Sequence, residues 1–214
     1  LKSQPLWLAW RSEPQKGSHK MTKKPFRATS TDPATWCTFE QASAIKNTDG
    51  VGIVFHDNST IFGIDLDHIL PPQKTDLLPY LTKNLPSVKA LIVASNTYTE
   101  FSPSKTGLHL LFSATAEDRQ KINDSLSKHK IYFTTPPLPN QEKSAIEIYT
   151  HGRYFTFSDD QIPGSPPIRT ITAEEFISLF SLPISLPLEL VPFPTTSQSS
   201  TIQSSTIQSL QSSQ

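Results

Sequence analysis

This sequence of 214 residues contains one cysteine and only seven glycines, and it lacks any long apolar run. A single cysteine, Cys37, excludes an internal disulfide framework and a cysteine-based zinc site, which fits a reducing cytoplasm. No stretch approaches the roughly 18 consecutive apolar residues of a membrane-spanning helix. Residues 1–11 also lack the apolar run of a secretion signal. We therefore predict a soluble, cytoplasmic protein without a membrane partner.

Neither sign of charge dominates, because 19 Lys and Arg residues balance 19 Asp and Glu residues. The net charge thus neither indicates nor excludes a nucleic-acid partner, although residues 11–27 form a local basic stretch. The hydrophobic content of 36%, with twelve Phe among it, is sufficient for a core. A folded domain is therefore expected.

Apolar runs of strand length alternate irregularly with helical patterns. Strands are predicted near Trp7 and Trp10 and at 51–55, 61–67, 90–94, 97–101, 108–112, 130–134, 145–149 and 154–157, and helices at 39–46, 74–84, 116–130 and 172–180. Capping-box spacings at Thr38 and Thr172 mark two of the helix starts. Residues 11–27 are predicted to be a basic loop, and 51–55 with 61–67 a hairpin. The irregular mixture predicts an α+β fold with a mainly antiparallel or mixed sheet and flanking helices.

The composition changes sharply near residue 182. Residues 183–214 are rich in Pro, Ser and Gln and carry almost no charge, so they cannot bury a core and are predicted to be a linker or disordered tail. Residues 1–182 are predicted to be the folded domain. Because the chain begins with Leu and ends in low-complexity sequence, we expect a fragment of a longer polypeptide.

Two acids, Asp65 and Asp67, lie two residues apart at the end of an apolar strand. The strand period of two places both on one face, with their Cα atoms about 6.6 Å apart, while Ile64 and Leu66 enter the core. Two carboxylates held side by side can share hard divalent cations, so Mg²⁺ or Mn²⁺ is the predicted cofactor. The alternative is a solvated strand-end pair that caps the following turn.

Residues 102–109 form a small polar loop that opens into an apolar strand. Hydroxyls, backbone N–H groups, the Lys105 ammonium and the His109 imidazole are the donors that bind phosphate oxygens. The loop lacks P-loop spacing and no helix follows it, which disfavours ordinary NTPase chemistry. The alternative is a hairpin turn with His109 satisfied in the core. A functional His109 should point toward Asp65.

A third acid, Glu147, lies between two apolar strand residues and should face away from the core they enter. It could complete a three-carboxylate site with Asp65 and Asp67, or it could be a surface residue of an edge strand. Arg153 follows closely and offers a cation for phosphate. Its alternative is an ordinary turn and strand.

The order of these elements resembles the primase-polymerase domain of the archaeo-eukaryotic primase superfamily, in the branch found in phage and plasmid replication proteins. The matching stretches are 52–55, 63–68, 98–104 with 107–109, and 146–149 with 153–155, within a likeness that runs from about residue 10 to 158. The resemblance implies a catalytic core of the RNA-recognition-motif type, often fused to a helicase. Zinc-binding modules known in the family have no counterpart here, since one cysteine cannot build them.

The resemblance also implies roles for individual residues. Asp65, Asp67 and Glu147 would bind the catalytic metal, and Ser104 and His109 would hold the phosphates of the incoming nucleotide. Lys105 stands where relatives often carry a small residue, and it is interpreted as an extra phosphate ligand. Arg153 is interpreted as a further nucleotide contact.

The predicted activity is template-dependent nucleotidyl transfer in replication of a phage or mobile element. A primer 3′-hydroxyl or an initiating nucleotide would attack the α-phosphate of a bound nucleoside triphosphate. The expected partners are a DNA template and primer, dNTPs or NTPs, and a helicase in the same polypeptide. Two alternatives stay open, a metal-dependent nuclease and a catalytically inert module that binds nucleotides or DNA.

Overall fold

The computed structural model describes residues 1–17, 21–71, 76–126, 130–132 and 144–181, and within these ranges it has the predicted α+β fold. The strands are β1 (Trp7–Pro14), β2 (Met21–Pro25), β3 (Gly50–Phe55), β4 (Ile61–Asp67), β5 (Thr99–Phe101), β6 (Leu108–Ser113), β7 (Lys130–Tyr132), β8 (Ala145–Tyr149), β9 (Arg153–Phe157) and β10 (Arg169–Thr170). The helices are α1 (Phe39–Ser43), α2 (Leu77–Asn84), α3 (Pro86–Ser95), α4 (Ala116–Ser125) and α5 (Ala173–Ser181), and a 3₁₀ turn covers Pro33–Thr35.

The strands form two sheets. The first sheet has the order β2-β1-β3-β9 and is antiparallel throughout. The second sheet has the order β10-β6-β4-β8-β7, and β5 also pairs with β6. Its pairings are antiparallel except for the short parallel contact between β10 and β6. The prediction of a mainly antiparallel or mixed sheet is therefore confirmed.

The second sheet is the middle layer of the fold because both of its faces are covered. One face packs with the helices in a large core that includes Ile64, Leu110 and Phe176. The opposite face packs on the first sheet, where Leu111 joins Phe155 and the completely buried Trp7 in a second core. Side chains alternate between these two faces along each strand. Asp65 and His109 alternate with residues of the helix-side core, so they point toward the first sheet.

The predicted hairpin of 51–55 with 61–67 is wrong, although both runs are strands. β3 pairs with β1 and β9 in the first sheet, whereas β4 pairs with β6 and β8 in the second sheet. The turn between them crosses from one sheet to the other. Arg119 of α4 holds this crossing by donating to the carbonyl oxygens of His56, Asp57 and Thr150. A short polar turn permits a tight hairpin but does not require the two strands to pair.

The predicted strand at 90–94 is also wrong, because these residues lie in the helix α3. Pro86 occupies the first turn, where a missing N–H costs nothing, and Asn96 ends the helix in the left-handed conformation. Val88, Leu91 and Ser95 are the buried positions, and their spacing of three and four residues is helical. A short apolar run does not by itself distinguish a buried helix from a strand.

The remaining differences between the predicted and the observed helices and strands are smaller. Residues 11–27 are not a single basic loop, since β1 continues to Pro14 and β2 pairs with it. Helix α1 ends at Ser43, before residue 46, and α4 ends at Ser125, before residue 130. Both capping boxes are present, at Thr38 with Gln41 and at Thr172 with Glu175. The predicted helix start at 74–75, strand residues 133–134 and the tail at 183–214 lie outside the described residues. Within the described ranges, every helix is too short or too polar to cross a bilayer.

Candidate functional site

Four ionisable side chains stand in one row across the second sheet. In the strand register, Asp65 of β4 lies opposite both His109 of β6 and Glu147 of β8. His109 lies in turn opposite Glu100 of β5. Directly opposed residues share a face of the sheet and are close enough to interact. The row faces the first sheet, where the His109 ring lies 4.4 Å from the ring of Phe155.

Asp65 lies between His109 and Glu147 in this row. Without a bound cation, the negative charge of its carboxylate is unfavourable. Burial raises the pKa of Asp65 to about 6, with His109 lowering it and the acids Asp67 and Glu147 raising it further. The Asp65 side chain nevertheless keeps 23% exposure. A carboxylate that is partly desolvated and crowded by other acids favours an approaching cation, since the cation relieves the repulsion.

Asp67 lies on the same face of β4 as Asp65, as the strand period predicted. Asp65 and Asp67 are partly exposed, whereas Ile64 and Leu66 are buried. The chain turns directly after Asp67, because His68 adopts a positive φ of 51°. The His68 Nε2 atom lies 3.5 Å from an Asp67 carboxylate oxygen. The two aspartates therefore stand at the open end of the strand.

His109 connects two carboxylates. Its Nε2 atom lies 3.7 Å from Asp65, and its Nδ1 atom lies 3.0 Å from Glu100. The side chain is 2% exposed. The imidazole thus points toward Asp65, as a functional His109 should, while its neighbours Leu108 and Leu110 enter the core with the helices.

Glu147 is nearly buried on the third strand of the row. The Tyr149 hydroxyl donates a hydrogen bond to it, and burial together with this carboxylate raises the pKa of Tyr149. The Arg153 guanidinium lies 5.3 Å from the centre of the Tyr149 ring. Glu147, Tyr149 and Arg153 line an open cavity of about 350 Å³, together with His151 and Asn123. The predicted contact Arg153 therefore lies beside the predicted acid Glu147.

The polar loop lies beside the end of β4. The Ser104 hydroxyl is 3.0 Å from that of Ser102 and 2.9 Å from that of Thr106. A Cβ atom at Gly107 would stand 2.5 Å from the Leu66 carbonyl oxygen and 3.5 Å from the Asp67 Cα atom. A side chain at Gly107 would therefore push the loop away from the two aspartates. The close approach explains why glycine is needed here.

Lys105 is paired in this structure. Its ammonium forms an ion pair with Asp160, and the side chain is 54% exposed. The residue adopts a positive φ of 62° at the tip of the loop. The structure therefore places Lys105 at the loop surface, where a phosphate would compete with Asp160 for the ammonium.

Three residues of the site escaped the sequence reasoning. Glu100 and Tyr149 were inside the matching stretches but had no assigned role. Lys23 of β2 was grouped with the basic stretch, yet it lies close enough to Asp65 and Asp67 for their charges to raise its pKa. Desolvation lowers the pKa of Lys23, and these two acids act in the opposite direction. The sequence reasoning missed Lys23 because it did not predict that β2 pairs with β1.

The described residues contain no group of three or more His, Cys, Asp or Glu side chains already arranged to hold a metal ion. Asp67 and Glu147 lie close enough to Asp65 for their charges to raise its pKa. Mg²⁺ is commonly held by only one or two carboxylates together with substrate phosphates and water. The donor set is thus of the type that completes its coordination with a phosphate ligand.

No family model matches the chain. A search of curated proteins found that it is 30% identical, over 174 residues, to the protein named DNA Primase-polymerase of Nitratiruptor phage NrS-1. The alignment covers 77% of this chain and 20% of the phage protein, so the chain spans about a fifth of that relative's length. Over this shared part, the chain is similar to a phage primase-polymerase, which supports the resemblance that the order of its motifs indicated.

Proposed function

We propose that this chain catalyses template-dependent nucleotidyl transfer, as a DNA primase, a DNA polymerase or both. The observation that carries the proposal is the cross-strand row in which His109 and Glu147 flank Asp65 beside a hydroxyl-rich loop. Acids for a cation and donors for phosphates thus lie on one side of one sheet. The name of the phage relative supports the same activity.

Mg²⁺ or Mn²⁺ is the cofactor that we propose, with Asp65, Asp67 and Glu147 as its protein ligands. The raised pKa of Asp65 supports this, because burial and the two neighbouring acids outweigh the stabilising influence of His109 and Lys23 on its charge. When bound, the metal would stabilise negative charge on the attacking and leaving oxygens. Glu147 can bind a metal ion while it accepts the hydrogen bond from Tyr149, since a carboxylate has several lone pairs.

The other site residues would position the nucleotide. His109 would donate Nε2–H to a phosphate oxygen, and its low exposure would strengthen that bond by excluding water. Ser104 would contribute its hydroxyl, and Lys105 would exchange Asp160 for a phosphate. Arg153 would contact the nucleotide from the cavity next to Glu147.

DNA template and primer would bind across the open side of the site, in the cytoplasm, as part of phage or mobile-element replication. Exposed basic side chains on either side of β2, such as Lys16 and Arg27, would contribute contacts to phosphate. The phage relative continues well beyond the shared part, and we propose a helicase in the remainder of a longer polypeptide.

Primer extension tests the proposal directly. The chain is incubated with a 5′-labelled primer on a DNA template, Mg²⁺ or Mn²⁺, and all four dNTPs. Elongated primer that depends on template and on the metal is the expected product. Shortened primer that forms without nucleotides would instead identify a nuclease. Nucleotide or DNA binding without any product would identify an inert module.

Lys23 and Lys24 offer a matched pair for testing the site. We expect Lys23→Gln to weaken dNTP binding about threefold, because one positive charge at the protein surface contributes at most about 1 kcal/mol. Lys24 pairs with Glu13 at 3.2 Å, so Lys24→Gln should leave dNTP binding unchanged. Isothermal titration calorimetry with a non-hydrolysable dNTP and Mg²⁺ makes the comparison. Equal effects of the two substitutions would place Lys23 outside the nucleotide site.

A further inference from the structure

Glu100 is completely buried and accepts hydrogen bonds from four groups. One carboxylate oxygen accepts from the Ser158 N–H at 2.9 Å and faces His109 Nδ1 at 3.0 Å. The other accepts from the Asp159 N–H and from the Tyr98 hydroxyl, each at 3.0 Å. Burying a carboxylate is costly, and this arrangement satisfies both oxygens. Glu100 lies on the far side of His109 from Asp65 and is too enclosed to meet a substrate.

We propose that Glu100 is the positioning residue that orients His109 toward the nucleotide. Backbone N–H groups can only donate, so they fix the carboxylate as an acceptor in one place. The acceptor then holds the proton on His109 Nδ1 and sets the plane of the ring. With Nδ1 engaged, Nε2 is directed at the space beside Asp65, where we place the phosphates. This inference rests on the proposed function for the identity of the ligand.

The same carboxylate also anchors the far side of the phosphate loop. Its two backbone donors, Ser158 and Asp159, precede Asp160, which pairs with Lys105 at the loop tip. The Phe101 N–H donates to the Asp160 carbonyl oxygen at 2.9 Å, so the segment is fastened to β5 as well. Glu100 therefore helps to hold both His109 and Asp160, the partner of Lys105, in position. Loss of its charge should disturb both phosphate ligands together.

Glu100→Gln is the informative substitution because it keeps the shape. An amide has one acceptor oxygen, so it cannot satisfy donors on both sides. If the NH₂ group faces His109, Nδ1 meets a donor instead of an acceptor and cannot keep its proton, so the contact that fixes the ring and aims Nε2–H at the phosphates is lost. If the oxygen faces His109, the NH₂ group meets the Asp159 N–H. Tyr98→Phe is the matched control, since it removes a hydrogen bond to the same carboxylate without touching His109.

Two measurements on the whole chain test the role. In ¹⁵N spectra of the histidine side chains, wild-type His109 should carry a proton on Nδ1, in addition to the Nε2–H that meets the phosphates, and Glu100→Gln should change both nitrogen shifts. In primer extension, Glu100→Gln should raise KM for dNTP about 10- to 100-fold, the range found when a carboxylate that orients a functional histidine is lost. Its kcat should fall less. Tyr98→Phe should leave the shifts and KM within about twofold of wild type.

Unchanged His109 shifts and KM in Glu100→Gln would overturn the proposal. So would an equal loss in Tyr98→Phe, which would indicate a purely structural role. If Glu100→Gln does not fold by circular dichroism, Glu100→Asp provides the comparison, because it retracts the charge from Nδ1 and should raise KM in the same way. Absence of nucleotidyl transfer in the wild type would defeat the proposed function, whereas the spectra would still decide whether Glu100 orients His109.

Discussion

Asp65→Asn should lower the kcat of primer extension by about 10³-fold or more while the fold is retained. Removing a single group that stabilises transition-state charge costs about 10²- to 10³-fold, and loss of a metal ligand adds to this. Single-turnover extension with saturating dNTP measures the loss. Asp76→Asn is the control, because Asp76 is exposed and its side chain makes no capping hydrogen bond. Activity of Asp65→Asn within tenfold of wild type would exclude Asp65 as a catalytic ligand.

The same substitution should stabilise the metal-free protein. The pKa of Asp65 is about 6 in the folded state against an ordinary 3.8, so the folded state binds more protons between these values. Its contribution to the free energy of unfolding therefore falls as the pH rises from about 4 to about 6, by roughly 3 kcal/mol in total. Asp65→Asn should abolish this fall in the free energy of unfolding, because asparagine does not titrate. Urea unfolding in EDTA at pH 4, 5, 6 and 7 measures it, and an unchanged slope with pH would contradict it.

His109→Gln should lower kcat/KM for dNTP by about 10²- to 10³-fold, since one charged donor to the phosphates is lost. A second effect adds to the first. His109 is the strongest influence that lowers the pKa of Asp65, so that pKa should rise further and activity should require higher pH. Steady-state extension across pH 6 to 9 measures both effects.

His56→Gln serves as the control for His109→Gln. His56 lies in the turn between β3 and β4, where its ring contacts Trp36 and its Nδ1 accepts from the Asn58 N–H. It is outside the row of acids, so its substitution should leave kcat/KM and the pH profile unchanged. If His56→Gln and His109→Gln reduced kcat/KM equally, His109 would have no special role in nucleotide binding.

Parts of the site follow from short-range rules. The period of two in β4 predicts that Asp65 and Asp67 share a face, and the burial of Ile64 and Leu66 agrees with it. The same rule predicts that His109 leaves the core that Leu108 and Leu110 enter. These positions were predictable because side-chain alternation is a property of the strand backbone alone.

Other parts depend on which strands pair. The runs 51–55 and 61–67 are strands of two different sheets, and the choice depends on burial of both faces of β4 rather than on the turn between them. The run 90–94 is equally apolar in either conformation, and its flanking Pro86 and Asn96 made a helix the better solution. The contact between Glu100 and His109 also depends on strand pairing, because it forms only when β5 lies beside β6.

The sequence by itself determined the α+β class, the helix caps and the faces on which Asp65, Asp67, His109 and Glu147 stand, because these follow from propensity and periodicity within a few residues. Only the tertiary structure decided that β6, β4 and β8 are neighbours, which brings His109, Asp65 and Glu147 into one row. It also decided that the row faces the first sheet and that Glu100 contacts His109 on the side away from Asp65. Strand pairing joins residues far apart in the chain, and the free energy that selects it comes from burying both faces of the second sheet at once.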